Sequence, residues 1–144
     1  MCRLVLIAAF IALTATAQTS STSLLGHWRE PTGSVIETFR CGAEICARVA
    51  AVSKQAPSQF DIYNPNPAAR KHPLCGLQVG SGFHPDGDNA EDGHLYDAKS
   101  GKTYRGSMSV EGDQLHLRGY IGIKAFGKSQ TWTRVSGNFT PCKP

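Results

Sequence analysis

Four cysteines have a spacing that suits disulfide bonds, namely Cys41, Cys46, Cys75 and Cys142. The segment Cys41-Gly-Ala-Glu-Ile-Cys46 is typical of a hairpin whose two strands carry facing cysteines. Four cysteines allow three pairings, and the hairpin favours Cys41 with Cys46, which leaves Cys75 with Cys142. No metal site is predicted, because zinc sites use tighter cysteine spacing and the five histidines form no HxH or HxxxH pair.

Side chains that could serve in catalysis lack the partners that catalysis needs. Ser81 lies between two glycines but not in the Gly-x-Ser-x-Gly pattern that marks a nucleophile turn. Asp86, Asp88 and Asp92 suggest a calcium loop, yet Ala90 stands where a further oxygen ligand is needed. A solvated acidic turn is the expectation for these residues. The sequence therefore predicts no catalytic residue and no cofactor, and a hydrolase is a remote alternative.

The N-terminal residues 1–17 have the pattern of a signal peptide. Arg3 supplies a positive charge, residues 4–13 are uninterrupted apolar side chains, and Ala15-Thr16-Ala17 supplies the small residues that signal peptidase recognises. This apolar run is too short for a membrane span, which needs about 20 residues. We therefore expect an exported protein, periplasmic or extracellular, with no membrane insertion after cleavage. Residues 18–144 are predicted to form a single domain.

Composition excludes several classes of protein. The chain has 144 residues, of which 40% are hydrophobic and 18% are charged, with 15 glycines and 8 prolines. Because glycine and proline are spread along the chain, a coiled coil is excluded and a helical bundle is disfavoured. The net charge of +4 is mild, and no run of Lys and Arg could hold a phosphate backbone. No nucleic-acid partner is predicted.

Short segments of alternating polarity predict strands throughout the chain. Residues 114–121 show the period most clearly, with Ile121 closing the inward-facing apolar set. The eight predicted strands are 24–30, 35–40, 45–52, 77–83, 94–97, 102–110, 114–121 and 130–135. Residues 53–74 and 84–93 are predicted loops, and a short helix is compatible with residues 66–71.

Eight antiparallel strands in one small domain predict a closed barrel, because closure leaves no unpaired strand edge. A two-sheet sandwich would have a similar strand list. Gly26-His27-Trp28 lies at the start of the first strand and Trp132-Thr133-Arg134 at the end of the last, so closure makes these strands neighbours. A guanidinium over an indole ring gains about 0.5–2 kcal/mol. Trp28 and Arg134 are therefore predicted to close one end of the barrel.

Several segments resemble one bacterial family. Gly26-His-Trp28, together with Arg134 after the last strand, resembles the structural signature of the lipocalins and the wider calycin superfamily. The more specific segments are Phe39-Arg-Cys-Gly-Ala-Glu-Ile-Cys-Ala-Arg-Val49, Asp61-Ile-Tyr-Asn-Pro-Asn-Pro67, Gly82-Phe-His-Pro-Asp-Gly-Asp-Asn89, Leu95-Tyr-Asp97 with Gly101-Lys-Thr-Tyr104, and Leu117-Arg-Gly-Tyr-Ile-Gly122 with Gln130-Thr-Trp-Thr-Arg134. Over residues 24–135 the chain resembles small exported bacterial proteins classed as a domain of unknown function. The resemblance implies an eight-stranded antiparallel calycin-like or lipocalin-like β-barrel.

A barrel of this size predicts a binding function. Its interior is wide enough either to be filled by side chains or to hold one small ligand. Gly106 and Gly119 leave space that larger side chains would have filled, which favours a small apolar or amphipathic ligand. The residues expected to line the interior or its mouth are Trp28, Phe39, Tyr104, Met108, Leu115, Leu117 and Trp132. The alternative is a surface-mediated protein interaction or inhibitor module that uses the 53–74 loop.

Overall fold

Eight antiparallel strands close into one barrel in the computed structural model, which describes residues 23–143. The strands are β1 (Gly26–Arg29), β2 (Val35–Cys41), β3 (Glu44–Ala51), β4 (Gln78–Asp86), β5 (Asn89–Asp97), β6 (Lys102–Glu111), β7 (Gln114–Tyr120) and β8 (Lys128–Arg134). Each strand pairs with the next, and β8 returns to β1 with Arg134 opposite Trp28. The predicted all-β barrel is confirmed, and closure excludes the sandwich. The predicted signal peptide, residues 1–17, lies outside the described residues.

The strand order divides the connections between two ends of the barrel. Antiparallel neighbours run in opposite directions, so the connections after β1, β3, β5 and β7 share one end. We call this the loop end, and its connections are residues 30–34, 52–77, 98–101 and 121–127. The opposite end, the turn end, has the short connections 42–43, 87–88 and 112–113.

Two 3₁₀ helices lie in the loop-end connections. Pro67–Lys71 belongs to the 52–77 loop and matches the short helix expected within residues 66–71, while Lys124–Phe126 belongs to the 121–127 connection. Asn66 caps the first of them by accepting a 3.1 Å hydrogen bond from the amide of Ala68. Within residues 23–143, no helix is long and apolar enough to cross a membrane.

Residues 84–93, predicted to be a loop, form a hairpin of two strands instead. β4 continues to Asp86 and β5 begins at Asn89. Gly87 has a φ of 60°, which suits a tight turn between antiparallel strands. The acidic side chains of the hairpin are exposed, whereas Ala90 is buried. Buried and exposed positions therefore alternate in this hairpin as in other strands. The sequence is typical of a loop because its exposed positions are mostly acidic.

Ile121, predicted to face the interior, lies instead in the 121–127 connection with 66% of its surface exposed. Gly122 follows it with a φ of 78° and turns the chain away from the strand. Arg118 then holds the connection by donating a 2.9 Å hydrogen bond to the carbonyl oxygen of Lys124. The inward-facing set of β7 therefore ends before Ile121.

The interior space predicted at Gly106 is occupied. Phe83 is fully buried, and a Cβ added at Gly106 would lie 2.7 Å from Leu95 Cδ1 and 3.3 Å from the Phe83 ring. Gly119 differs, because a Cβ there would meet Tyr104 at an ordinary contact distance of 3.5 Å. Of these two glycines, Gly119 therefore borders free space and Gly106 does not.

Arg134 covers Trp28 at the turn end, as predicted. Trp28 is fully buried, and the Arg134 guanidinium carbon lies 4.0 Å from the centroid of its ring. The indole Nε1 donates a 2.9 Å hydrogen bond to Thr38. Arg134 also donates to the carbonyl oxygens of Ser23 (2.7 Å) and Leu25 (3.1 Å). The chain that precedes β1 is thereby fixed across this end of the barrel.

Both disulfides have the predicted partners, Cys41 with Cys46 and Cys75 with Cys142. The first lies in the β2–β3 hairpin, where the two Cα atoms are 5.8 Å apart. The second joins the 52–77 loop to the C-terminal segment, with Cα atoms 5.4 Å apart. The amide of Cys142 also donates a 2.6 Å hydrogen bond to the carbonyl of Ala50 in β3. The C-terminal segment therefore runs back from the turn end to the loop end.

Candidate functional site

A cavity of about 580 Å³ occupies the loop end of the barrel and opens to solvent. Inward-facing side chains of the strands form its apolar wall: Ile36, Val49, Val79, Leu95, Leu117 and Trp132. Small-molecule sites have volumes of about 300–1,000 Å³ and mainly apolar linings with a few polar groups. The volume and wall of this cavity are those of a small-molecule site.

The 52–77 loop roofs part of the cavity. Its bordering residues are Val52, Gln55, Ala56, Pro57, Ser58, Phe60, Ile62, Tyr63 and Leu74. The loop is bonded to itself, since the amide of Leu74 donates a 2.8 Å hydrogen bond to the carbonyl of Gln59 and Phe60 forms an isolated bridge with Pro73. A long connection that satisfies its own backbone groups in this way can keep a defined shape over the mouth.

A buried carboxylate anchors this roof to the barrel. Asp61 is 1% exposed and accepts 2.7 Å hydrogen bonds from the Tyr96 hydroxyl in β5 and from the side-chain amide of Asn64. Burial, followed by the hydrogen bond to Asp61, raises the pKa of Tyr96 above its ordinary value. Tyr96 therefore remains a hydrogen-bond donor to Asp61 at physiological pH.

A second buried carboxylate, that of Glu30, forms an ion pair across the cavity mouth. The Glu30 side chain is 8% exposed, and its Oε2 lies 3.1 Å from Nζ of Lys99. Glu30 follows β1 and Lys99 follows β5, so the two residues belong to connections on opposite sides of an eight-stranded barrel. The ion pair therefore crosses the mouth, and both of its residues border the cavity.

The backbone of the 30–34 connection stabilises the ionised form of Glu30. Its carboxylate accepts hydrogen bonds from the amides of Thr32 (3.0 Å) and Ser34 (3.1 Å) and from the Thr32 hydroxyl. Burial alone would raise the pKa of Glu30, but the hydrogen bonds from Thr32 and Lys99 outweigh it, and the pKa is lowered. Glu30 is therefore charged at neutral pH, and its negative charge balances the positive charge of Lys99.

A second lysine at the mouth, Lys128, differs from Lys99 in its surroundings. It begins β8, borders the cavity and is exposed. None of the ion pairs within residues 23–143 includes Lys128. Gln130 and Tyr104 add neutral polar groups to the wall. A ligand could therefore contact polar side chains with an anionic or polar group at the mouth and apolar side chains with an apolar group inside the cavity.

Three of the predicted interior residues line the cavity: Tyr104, Leu117 and Trp132. Three others, Trp28, Met108 and Leu115, are buried in the core but do not border the cavity. The placement of Phe39 inside the barrel is wrong. Phe39 pairs with Cys46 across the β2–β3 hairpin, and the exposed Arg48 covers its ring at 4.7 Å from the centroid. Phe39 therefore packs on the outer face.

The most distinctive polar residues of the site, Glu30, Lys99 and Lys128, are absent from the residues predicted to line it. The Glu30–Lys99 pair joins positions 69 residues apart and becomes visible only when the barrel is closed. Lys128 lies one residue after a glycine at the start of a strand, which is a weak signal by itself. A search for charged residues beside the predicted loop ends would have found all three.

The acidic residues considered for calcium do not converge on one point. Asp88 accepts a 2.5 Å hydrogen bond from the Ser23 hydroxyl, whereas Asp92 pairs with Arg105 at 3.1 Å. Among the described residues, no three His, Cys, Asp or Glu side chains are grouped closely enough to hold a metal ion. The turn end therefore has an acidic surface without a metal cluster in the described part of the chain.

The barrel is similar in fold to a solved structure. The two chains superimpose with a TM-score of 0.71 over 78% of this chain and 83% of the other, which is protein HP1028 from the human pathogen Helicobacter pylori, described as belonging to the lipocalin family. The sequence identity is 24%, so the likeness concerns the fold alone. No curated protein matches the chain.

A family model matches residues 26–134, the full span of the barrel from the start of β1 to the end of β8. The family is described as an uncharacterized protein conserved in bacteria, DUF2147. The bacterial family implied by the sequence segments is thereby confirmed. The chain belongs to this DUF2147 family, and its fold is an eight-stranded, lipocalin-like barrel.

Proposed function

We propose that the protein binds a small amphipathic molecule, with its apolar part in the cavity and its polar group at the loop end. The observation that carries the proposal is the open cavity of about 580 Å³ with its wall of Ile, Val, Leu and Trp side chains. Burial of apolar surface gains about 25 cal/mol per Å², so such a wall favours an apolar group over water. Trp28, Phe83 and Met108 fill other parts of the interior, which confines the ligand to the loop-end part.

The charges at the mouth favour an anionic polar group on the ligand. Glu30 pairs with Lys99, and Asp97, the other carboxylate that borders the cavity, accepts hydrogen bonds from the Lys99 amide and the Ser100 hydroxyl. Lys128 is exposed, forms no ion pair within residues 23–143 and can pair with a ligand anion. The group stays near water, where an ion pair contributes modestly to affinity. The apolar wall therefore supplies most of the binding free energy, and Lys128 orients the molecule.

The two tryptophans provide a direct test, because Trp132 borders the cavity and Trp28 does not. The protein is titrated with dodecanoate and with anilinonaphthalene sulfonate while tryptophan fluorescence is recorded. We expect saturable fluorescence changes that persist in Trp28→Phe and disappear in Trp132→Phe. A ligand at about 100 times its Kd should also stabilise the fold by about 2.7 kcal/mol, measurable as a raised melting temperature.

The role of Lys128 is tested with a pair of ligands that differ only in the polar group. Dodecanoate should bind about two- to fivefold more weakly to Lys128→Gln than to the wild type, while dodecanol should bind both equally. If neither ligand nor probe gives a saturable response, the proposal of a cavity ligand is overturned. The apolar surface of the 52–77 loop would then be the remaining candidate, in a protein interaction or inhibitor role.

A further inference from the structure

The exposed large hydrophobic side chains are concentrated at the loop end. Within residues 23–143 they are Phe60, Ile62, Tyr63, Ile121, Ile123 and Phe126. They belong to two connections, of which 52–77 borders the cavity. The other, 121–127, follows β7 and folds against the outer face of the barrel, where Arg118 donates to the carbonyls of Lys124 and Ala125 and Lys124 pairs with Glu91. Phe126 is 83% exposed and Ile121 is 66% exposed. Exposed apolar side chains in this number on two connections of one end of the barrel indicate a site of interaction.

Cationic side chains accompany this apolar surface. Exposed cations at the loop end that form no ion pair within residues 23–143 are Arg29, Lys54, Arg70, Lys71, Lys102 and Lys128. The two carboxylates of the four loop-end connections, Glu30 and Asp61, are buried. Asp97, which ends β5 beside the cavity, is half-buried and accepts hydrogen bonds from the Lys99 amide and the Ser100 hydroxyl. The solvent-facing charge around the mouth is therefore positive.

The turn end carries the opposite charge. Its three turns with their flanking residues, 41–44, 86–89 and 111–114, contain no Lys or Arg. They contain five carboxylates, Glu44, Asp86, Asp88, Glu111 and Asp113. Arg134, which lies 3.8 Å from Asp113, is engaged with Trp28. The barrel is therefore polarised along its length, although the net charge of the whole chain is only +4.

We propose that the loop end docks onto an anionic phospholipid surface, with the cavity mouth facing the lipid. Cations near such a surface are attracted by its negative potential, and exposed Ile, Phe and Tyr side chains partition into the boundary between headgroups and acyl chains. The acidic turn end is repelled by the same potential, so the orientation of the barrel is fixed. This inference goes beyond the proposed ligand, because it concerns the outer surface and not the cavity.

The docking is tested by sedimentation with vesicles. Vesicles of phosphatidylcholine alone are compared with vesicles that also contain phosphatidylglycerol. We expect binding to the anionic vesicles, weaker binding to the neutral ones, and a loss of the difference at high salt, because salt screens exposed charges. Binding that is equal for both vesicle types would overturn the electrostatic part of the proposal, and no binding to either would overturn all of it.

Charge variants separate the loop end from the rest of the surface. Lys54→Gln and Lys71→Gln should each weaken partitioning by about fivefold, the effect of one cation near an anionic membrane. Arg40→Gln removes an exposed cation near the turn end and should leave partitioning unchanged. Equal effects of all three changes would show that net charge, and not the loop end, determines binding.

Apolar variants test the insertion of side chains. Ile123→Ser with Phe126→Ser should weaken partitioning by at least about tenfold, because two exposed apolar side chains lose their contact with lipid. Ala43→Ser, an exposed position in the turn after β2, is the control and should have no effect. All variants begin at Gln18, the N-terminus expected after signal-peptide cleavage, so the apolar residues 4–13 do not contribute to partitioning. Wild-type partitioning by the double variant would overturn the proposal.

A variant with a narrowed cavity distinguishes docking of the outer surface from extraction of a lipid into the barrel. Gly119 borders the cavity, and Gly119→Val places a side chain there without touching the outer surface. This variant should bind vesicles like the wild type even where it no longer binds dodecanoate. Loss of vesicle binding in Gly119→Val would mean that the cavity captures the lipid, and the surface-docking proposal would be wrong.

Discussion

The hydroxyl of Tyr96 and the carboxylate of Asp61, 35 residues apart in sequence, join the wall of the cavity to its roof through a 2.7 Å hydrogen bond. Tyr96 belongs to β5, whereas Asp61 belongs to the 52–77 loop, whose last residues, Gly76 and Leu77, form backbone hydrogen bonds with Val49 of β3. A further close approach occurs at Gly101, where an added Cβ would collide with the carbonyl oxygen of Tyr63. The position of the roof thus depends on a few specific contacts.

Removal of the Tyr96 hydroxyl should loosen this attachment. Tyr96→Phe leaves the buried Asp61 carboxylate with one donor fewer, and we expect the free energy of unfolding to fall by about 1–3 kcal/mol. Urea unfolding measures the loss. Tyr63→Phe is the matched control, because Tyr63 is 50% exposed and the same change should alter stability by less than about 0.5 kcal/mol. Equal stabilities of the two variants would show that the hydrogen bond contributes nothing.

Glu30 should make stability depend on pH in the acid range. Its pKa in the folded protein lies below the ordinary value of 4.5, because the hydrogen bonds from Thr32 and Lys99 outweigh burial. Its contribution is therefore fully present above pH 4.5 and is lost as the pH falls through the lowered pKa of the folded state. Melting temperatures recorded against pH should fall less steeply in Glu30→Gln than in the wild type.

Lys99→Gln should reduce the acid dependence of stability only in part. It removes the 3.1 Å contact across the mouth but keeps the two hydrogen bonds from Thr32. We expect a pH dependence between those of the wild type and Glu30→Gln. An unchanged acid slope in Glu30→Gln would contradict the assignment of the dependence to this carboxylate.

The architecture follows from the sequence because outward and inward positions alternate in most strands. The alternation in β7 and the pairing of Trp28 with Arg134 were sufficient to predict closure. The β4–β5 hairpin was missed because its outward positions are acidic and its turn contains glycine, features that loops share. Ile121 was misplaced because nothing in the alternation marks where Gly122 bends the chain away from the strand.

The site was less predictable, because its polar parts come from residues that meet only across the closed barrel. Tyr104, Leu117 and Trp132 could be assigned to the interior from local alternation. Phe39 could not, since β2 carries apolar residues on both faces, and the contact with Arg48 on the outer face decides its orientation. The pairing of Glu30 with Lys99 requires the strand order of the whole barrel.

The contact between Arg134 and Trp28 should be a main source of stability at the turn end. Trp28→Ala removes a fully buried side chain and should cost about 3–5 kcal/mol in urea unfolding. Arg134→Gln loses the stacked guanidinium and its hydrogen bonds to two carbonyl oxygens, and we expect a loss of about 1–3 kcal/mol. Arg40→Gln, an exposed change, serves as the control. A loss below about 0.5 kcal/mol in Trp28→Ala would contradict this account of barrel closure.

Gly119→Val should narrow the cavity without loss of the fold. A Cβ at Gly119 would contact Tyr104 at 3.5 Å, an ordinary distance, whereas a Cβ at Gly93 would collide with the Phe83 ring. Valine also suits a strand better than glycine, by up to about 1 kcal/mol. We therefore expect Gly119→Val to unfold at a urea concentration equal to or above that of the wild type, while its affinity for dodecanoate falls at least about tenfold through lost cavity volume. Gly119→Ala should have a smaller effect on affinity, and Gly93→Ala should lower stability. Undiminished affinity in a folded Gly119→Val protein would show that the ligand does not occupy the space next to Tyr104.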